Sequence, residues 1–352
     1  LGTITFLLVL SFLVFFHELG HFLAARYFGV KVHVFSIGFG KQLFAKEWKG
    51  TTWQFALIPL GGYVRMKGQD DTKPANNEEG DDSYNTKAPW QRIIILFAGP
   101  FANFILAAVL YFFIAILGAS TLAPQIGKVI DNSPAAKAGL QKNDEIFKIN
   151  NTEVRSWDRI GKVIVNTEGA LKFYIKRDGK VIAKTIKPHI SDSQNLFKEK
   201  IKKRMIGISP SGKVIKLDLS IAQSIAFAYE KTVWASTMIF QGVQKLIQGV
   251  IPTSEVGGVI TIGKVVSDAS QSSIIALLSI TALISVNLGV LNLLPIPALD
   301  GGHIMFNLYE MITKHKPSDQ VFIFLTIAGW VVLAGLMILG IYNDINRIFL
   351  ND

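Results

Sequence analysis

The residues with the densest potential for chemistry in this 352-residue chain are His17, Glu18 and His21. On a helix, side chains four positions apart stack on one face, so the two imidazoles can grip a single ion. Glu18 stands beside them and can take a proton from a water that such an ion acidifies. All three lie inside an apolar stretch running roughly from Thr3 to Ala25, long enough to cross a bilayer. An ionisable side chain at that depth costs about 2.5 kcal/mol or more, and such residues usually serve function. A lone match of five residues in a soluble chain would carry far less weight.

The segment His17-Glu18-Leu19-Gly20-His21 is the HExxH arrangement of zinc proteases. Two imidazoles leave zinc short of a third protein ligand. The chain has no cysteine, so that ligand must be another His or a carboxylate, and no disulfide staples any part. Asp300 is the candidate, in the run Asn292-Leu293-Leu294-Pro295-Ile296-Pro297-Ala298-Leu299-Asp300-Gly301-Gly302-His303. Pro295 and Pro297 break helical hydrogen bonding, and the following glycines loosen the backbone, so a partly unwound segment can present Asp300 to an ion. Read alone, Asp300 is equally an ordinary helix end. Beside HExxH that reading loses ground.

The elements that must position these groups are mostly apolar helices. Half of the residues are hydrophobic and the mean hydropathy is +0.36, which exceeds the usual soluble domain and points to a mixed membrane and water-soluble protein. Four stretches can span a bilayer: about Thr3 to Ala25, Ile93 to Gly118, Ile274 to Leu294 and Phe322 to Ile341. The first is too long for the apolar core of a signal peptide and is expected to be retained. β-Formers and glycines from Val32 to Val64 predict short strands and tight turns at the membrane edge. Gln69 to Ala88 is polar and acidic and is expected to be a mobile linker. Between spans two and three, strands at Ile126–Ile130, Ile146–Asn150, Leu171–Lys176 and Val181–Ile186 and helices near Ser133 and Trp157 predict a compact α+β module. Leu219 to Val250 reads as an amphipathic helix.

The residues also resemble a known family. HExxH in the first span with NxxPxPxLDG in a later one is similar to the site-2 protease family of intramembrane zinc metalloproteases. Phe35–Gly40 (FSIGFG), Ile58–Val64 (IPLGGYV) and Ala98–Phe104 (AGPFANF) resemble the bacterial RseP-like branch, that of the regulator of sigma-E protease. The resemblance covers nearly the whole chain. It implies that His17, His21 and Asp300 bind zinc, that Glu18 is the general base, and that Asn292 lies near the substrate backbone. It implies further that Gly61, Gly62 and Tyr63 belong to a membrane-reentrant β element that holds an unwound substrate helix as an added strand. The α+β module resembles a bacterial PDZ domain, with Gly207 and Ile208 in its ligand loop. The RseP branch commonly carries two such domains, and this chain has room for one. Val259 stands where the family usually has a proline.

The resulting expectation is a polytopic α-helical membrane protein of about four transmembrane helices, with a membrane-associated β element and one inserted PDZ-like domain. Its parts are transmembrane helix 1 with HExxH (1–28), the β element (29–68), the linker (69–90) and transmembrane helix 2 (91–118). The PDZ-like domain (119–216), the amphipathic helix (217–252) and transmembrane helix 3 with the LDG motif (253–303) follow, then a cytoplasmic loop (304–320) and transmembrane helix 4 (321–352). Arg26, Lys31, Lys87, Arg92, Lys314 and Lys316 flank the spans on what the positive-inside rule makes the cytoplasmic side. The active site then faces the cytoplasm of a bacterial inner membrane, and the PDZ-like domain lies outside. That domain carries basic over acidic residues at about two to one, but long domains cross regardless of charge. Its run from Lys198 to Arg204 is a solvated face or a contact for anionic lipid or an acidic segment.

The expected reaction is hydrolysis of peptide bonds in single-span membrane proteins, with Zn2+ as cofactor. Anti-sigma factors and signal-peptide remnants are the substrates the resemblance suggests. Other expected partners are the lipid bilayer and a peptide or C-terminus at the PDZ-like domain, with no nucleic acid. A metal transporter would want polar residues along several spans, and a mere scaffold would not need HExxH with Asp300.

Overall fold

The computed structural model describes residues 2–69, 80–195 and 197–349. The chain divides into two compact units, Leu1–Ile114 with Ile225–Asp352, and Ala115–Ser224.

The first unit opens with helix α1 (Gly2–Tyr27), which is apolar along its length and ends on Arg26. Strands β1 (Val32–Trp48) and β2 (Thr51–Met66) follow as an antiparallel pair. Lys49 and Gly50 join them, both with positive φ, the two-residue turn whose twist suits a hairpin. The pair is folded on itself. Val34–Ile37 pair with Thr52–Phe55 on one flank and with Gly62–Arg65 on the other. The 62–65 stretch is therefore an edge, with no further strand beside it among the described residues. Phe39, Leu43, Phe44, Trp48, Phe55 and Leu57 stay exposed on the hairpin, far more apolar surface than a solvated ribbon carries.

Helix α2 (Pro89–Ile116) starts with proline at a position that needs no N–H. It comes very close to α1. A Cβ on Gly20 would lie 2.2 Å from the Ala98 carbonyl oxygen, so only glycine allows that approach.

The second unit is α+β. Its strands are β3 (Ser120–Leu122), β4 (Ile126–Val129), β5 (Glu145–Ile149), β6 (Thr152–Glu153), β7 (Leu171–Arg177) and β8 (Lys180–Ile186). Then come β9 (His189–Gln194), β10 (Lys200–Met205), β11 (Ile208–Pro210) and β12 (Val214–Lys216). Helices α3 (Pro134–Lys137) and α4 (Trp157–Asn166) lie among them. Strands β6-β5-β7-β8 make one sheet, and β4 with β11, β9 with β10, and β3 with β12 make three two-stranded ladders. Ile126, Ile146, Ile149, Ile160, Phe173 and Ile175 fill the core. Asp144 is fully buried and takes two hydrogen bonds from Arg177, which raises the pKa of that guanidinium. The β9–β10 ribbon was not expected. Its KIKKRM sequence lacks the apolar alternation that marks a strand, and the cross-strand ladder supplies what the side-chain pattern does not.

The chain returns to the first unit with α5 (Ile221–Ile247), α6 (Val259–Ser272), α7 (Ile274–Asn292), α8 (Asp300–Thr313) and α9 (Asp319–Phe349). Helices α1, α2, α7 and α9 are long and apolar enough to cross a membrane. Asp344 of α9 is fully buried and caps α6, accepting from the backbone of Gly258, Ile260 and Thr261 and from the Thr261 hydroxyl.

Three expected boundaries need correction. Residues 253–303 are not one helix. Ser273 is extended and caps α7 through its hydroxyl, and Leu293–Leu299 are non-helical because Pro295 and Pro297 cannot donate to a helix. The segment 304–320 is not mainly a loop, since α8 continues to Thr313 and closes on Lys314 in the left-handed conformation. The linker at 69–90 falls partly outside the described residues, and its described end is anchored. Ser83 and Tyr84 are buried, Lys67 pairs with Asp82 at 2.6 Å, and the Tyr84 backbone N–H donates to Lys67.

Candidate active site

His17 and His21 project from one face of α1, as their spacing requires. Their Nε2 atoms are 3.2 Å apart. Asp300, in the first turn of α8, brings its Oδ2 to 3.3 Å from His17 Nε2 and 3.4 Å from His21 Nε2. Gly301 and Gly302 make this possible by their size rather than by loose backbone. A Cβ on Gly301 would fall 2.3 Å from the Leu294 carbonyl oxygen, and one on Gly302 2.3 Å from that of Ile296. The first turn of α8 thus lies directly on the proline loop, which turns Asp300 toward α1.

The three ligand atoms form a nearly equilateral triangle. A tetrahedral zinc ion with arms of about 2.0–2.1 Å has edges of about 3.3 Å between ligands. Asp300 Oδ2 is buried and, beyond the two imidazole nitrogens, has no hydrogen-bond partner among the described residues. This is the one group of three or more His or carboxylate side chains, among the described residues, that is arranged to hold a metal ion. The donor set of two imidazoles and a carboxylate suits zinc, so the residues present fit the metal the motif implies.

A third helix shapes the centre. Gly99 of α2 stands against His21, and a Cβ there would lie 2.2 Å from His21 Nε2. His21 Nδ1 is 2.9 Å from the Ile95 carbonyl, an acceptor that leaves Nε2 free for an ion. Asn103 Nδ2 is 3.2 Å from His17 Nδ1. Glu18 is not one of the three converging groups. Its carboxyl meets the backbone of Val64 on β2.

Residues 5–336 match peptidase family M50. The chain belongs to peptidase family M50. A relative from Campylobacter jejuni, named a zinc metalloprotease, is 49% identical over 97% of this chain and 92% of its own length. One from Helicobacter pylori, also named a zinc metalloprotease, is 40% identical over 97% of this chain and 98% of its own. Metalloprotease MmpA of Caulobacter vibrioides is 35% identical over 98% of this chain and 95% of its own. The M50 protein described here is accordingly a zinc metalloprotease, and the expected family resemblance holds.

The remaining candidate residues of this M50 chain are placed as follows. Gly62 backs onto Glu18: a Cβ there would lie 2.7 Å from Val14 Cγ1 and 3.3 Å from Glu18 Cγ. Gly61 faces Phe39, and the Tyr63 hydroxyl accepts from Gln54. Asn292 is the last residue of α7. Gly207 has φ +82° between β10 and β11, and its carbonyl accepts from Ile130 N–H, while Ile208 pairs with Val129. Those two belong to the second unit. Sequence reasoning gave no role to Gly99, Asn103 or the Ile95 carbonyl. The available signal was an amide in an otherwise apolar span, four residues from a glycine and so on the same face of α2.

Proposed function

We propose that this M50 metalloprotease hydrolyses peptide bonds within the transmembrane segments of single-span membrane proteins. The observation that carries this reading is the triangle of His17, His21 and Asp300 set on a helix long and apolar enough to cross a bilayer.

In this reading His17, His21 and Asp300 hold zinc, which when bound makes water more acidic and polarises a carbonyl. Glu18 accepts the proton from the attacking water and returns one to the leaving nitrogen. The Val64 backbone orients its carboxyl. A helical substrate buries its peptide bonds and must be extended before attack. Opening it in lipid strands polar groups at several kcal/mol each. The open edge at 62–65 offers replacement partners by strand addition, beside Glu18. Asn292 supplies a further amide to the extended chain. An active site on the cytoplasmic side of a bacterial inner membrane is the orientation that the basic residues at the span ends support. The second unit serves as a PDZ-like domain outside it, with Gly207 and Ile208 in the loop that takes a peptide or C-terminus.

Gly62→Leu is expected to lower cleavage at least about tenfold with zinc content unchanged, since its side chain has no room between β2 and α1 and misplaces the edge beside Glu18. Normal cleavage by this variant would remove the edge from the mechanism.

The function is tested with the purified chain in liposomes carrying a single-span substrate. Mass spectrometry of the products should place the cut inside the apolar span. A zinc chelator should stop cleavage and added zinc should restore it. Cuts confined to soluble flanks, or cleavage indifferent to the chelator, would overturn the reading.

A further inference from the structure

Asn103 sits in the middle of an apolar helix with none of its surface exposed. A side-chain amide so placed is costly unless it has partners. Its backbone carbonyl accepts from the Ser285 hydroxyl of α7 at 2.8 Å. Among the described residues its side chain has one partner, His17 Nδ1 at 3.2 Å, and its Oδ1 is buried with none.

The two imidazoles of the proposed metal centre therefore differ in what holds them. His21 Nδ1 faces a backbone carbonyl, which only accepts. That contact requires a hydrogen on Nδ1 and leaves the Nε2 lone pair free. His17 Nδ1 faces an amide, which can donate or accept according to which end is turned to the ring. With Nδ2 toward the ring, the hydrogen of His17 sits on Nε2 and blocks an ion. Half a turn of the amide brings Oδ1 to the same position. It then accepts from Nδ1–H and frees Nε2.

We infer that Asn103 is a positioning residue for the protease: its Oδ1 accepts from His17 Nδ1 and so sets the ring orientation and the tautomer that binds zinc. The inference rests on the metal centre proposed above. Outer partners of this kind change metal affinity about 10–100-fold when removed. The position is selective for an acceptor, not for size or polarity alone.

The test is zinc affinity of the purified full-length chain, measured by competition with a fluorescent chelator, together with the visible absorption of the cobalt-loaded protein. Asn103→Leu keeps similar bulk and removes the acceptor. Its zinc affinity should fall about 10–100-fold, and its cobalt bands should shift. Asn103→Asp restores an acceptor and should bind zinc at least as tightly as the wild type. Ser285→Ala loosens the same helix contact without touching the amide and should leave affinity and spectrum unchanged. Wild-type affinity in Asn103→Leu would overturn the inference. So would an equal loss in Asn103→Asp, an outcome that stands even if the leucine variant does not fold. If His17→Ala binds zinc like the wild type, the metal-centre reading itself fails, and the inference falls with it for a separate reason.

Discussion

Gly99→Ala is expected to lose at least about 99% of cleavage and most bound zinc, although it adds one methyl group on a helix. The new Cβ would stand 2.2 Å from His21 Nε2, and ordinary contact needs more than 3.4 Å. His21 cannot swing aside freely, because its Nδ1 is tied to the Ile95 carbonyl at 2.9 Å. The ring must move by about 1 Å, and a displacement of that size at reacting groups costs on the order of 100-fold. Alanine is a better helix former than glycine, so α2 itself should not weaken. Zinc analysis and cleavage of a reconstituted substrate check this. A Gly99→Ala protein with full zinc and normal turnover would mean that His21 is not a ligand in the position described.

Glu18→Gln should also lose cleavage, but unlike Gly99→Ala it should keep its zinc. Glu18 stands outside the triangle of ligand atoms, so the ion should stay. The amide keeps the size of the carboxyl but cannot accept a proton at neutral pH. General-base catalysis contributes about 100- to 10,000-fold, and a loss of that order is expected. The measurement is turnover beside metal content in the same preparation. Comparable turnover would place the base elsewhere. Loss of zinc would make Glu18 a ligand.

The two variants separate parts of the site that the sequence revealed unequally. His17, Glu18 and His21 were legible because one helix carries them, and helical spacing alone puts both imidazoles on one face. Asp300 was legible as a charge at the end of an apolar run. The reason it reaches α1 was not. Gly301 and Gly302 suggested loose backbone, and the structure uses them for close packing on the carbonyls of Leu294 and Ile296. Gly99 and Asn103 were recognisable as part of a family-like segment, yet their contacts depend on how α2 approaches α1. Periodicity within one helix does not encode that approach. The same limit explains the hairpin. β-Formers marked Val32 to Val64 as strand, but the double pairing that leaves 62–65 as an edge beside Glu18 is a long-range arrangement. The start of the third span was legible, because the polar run Ser267–Ser273 precedes Ile274, and α7 begins there with Ser273 as its cap.

Anomalous diffraction at the zinc absorption edge, on crystals of the zinc-loaded chain, tests the central claim most directly. One peak is expected, at about 2.0–2.1 Å from both His17 Nε2 and His21 Nε2 and about 2.0–2.2 Å from a carboxylate oxygen of Asp300. Zinc bound at any other set of side chains, or no zinc on an enzyme that still cleaves, would contradict the account.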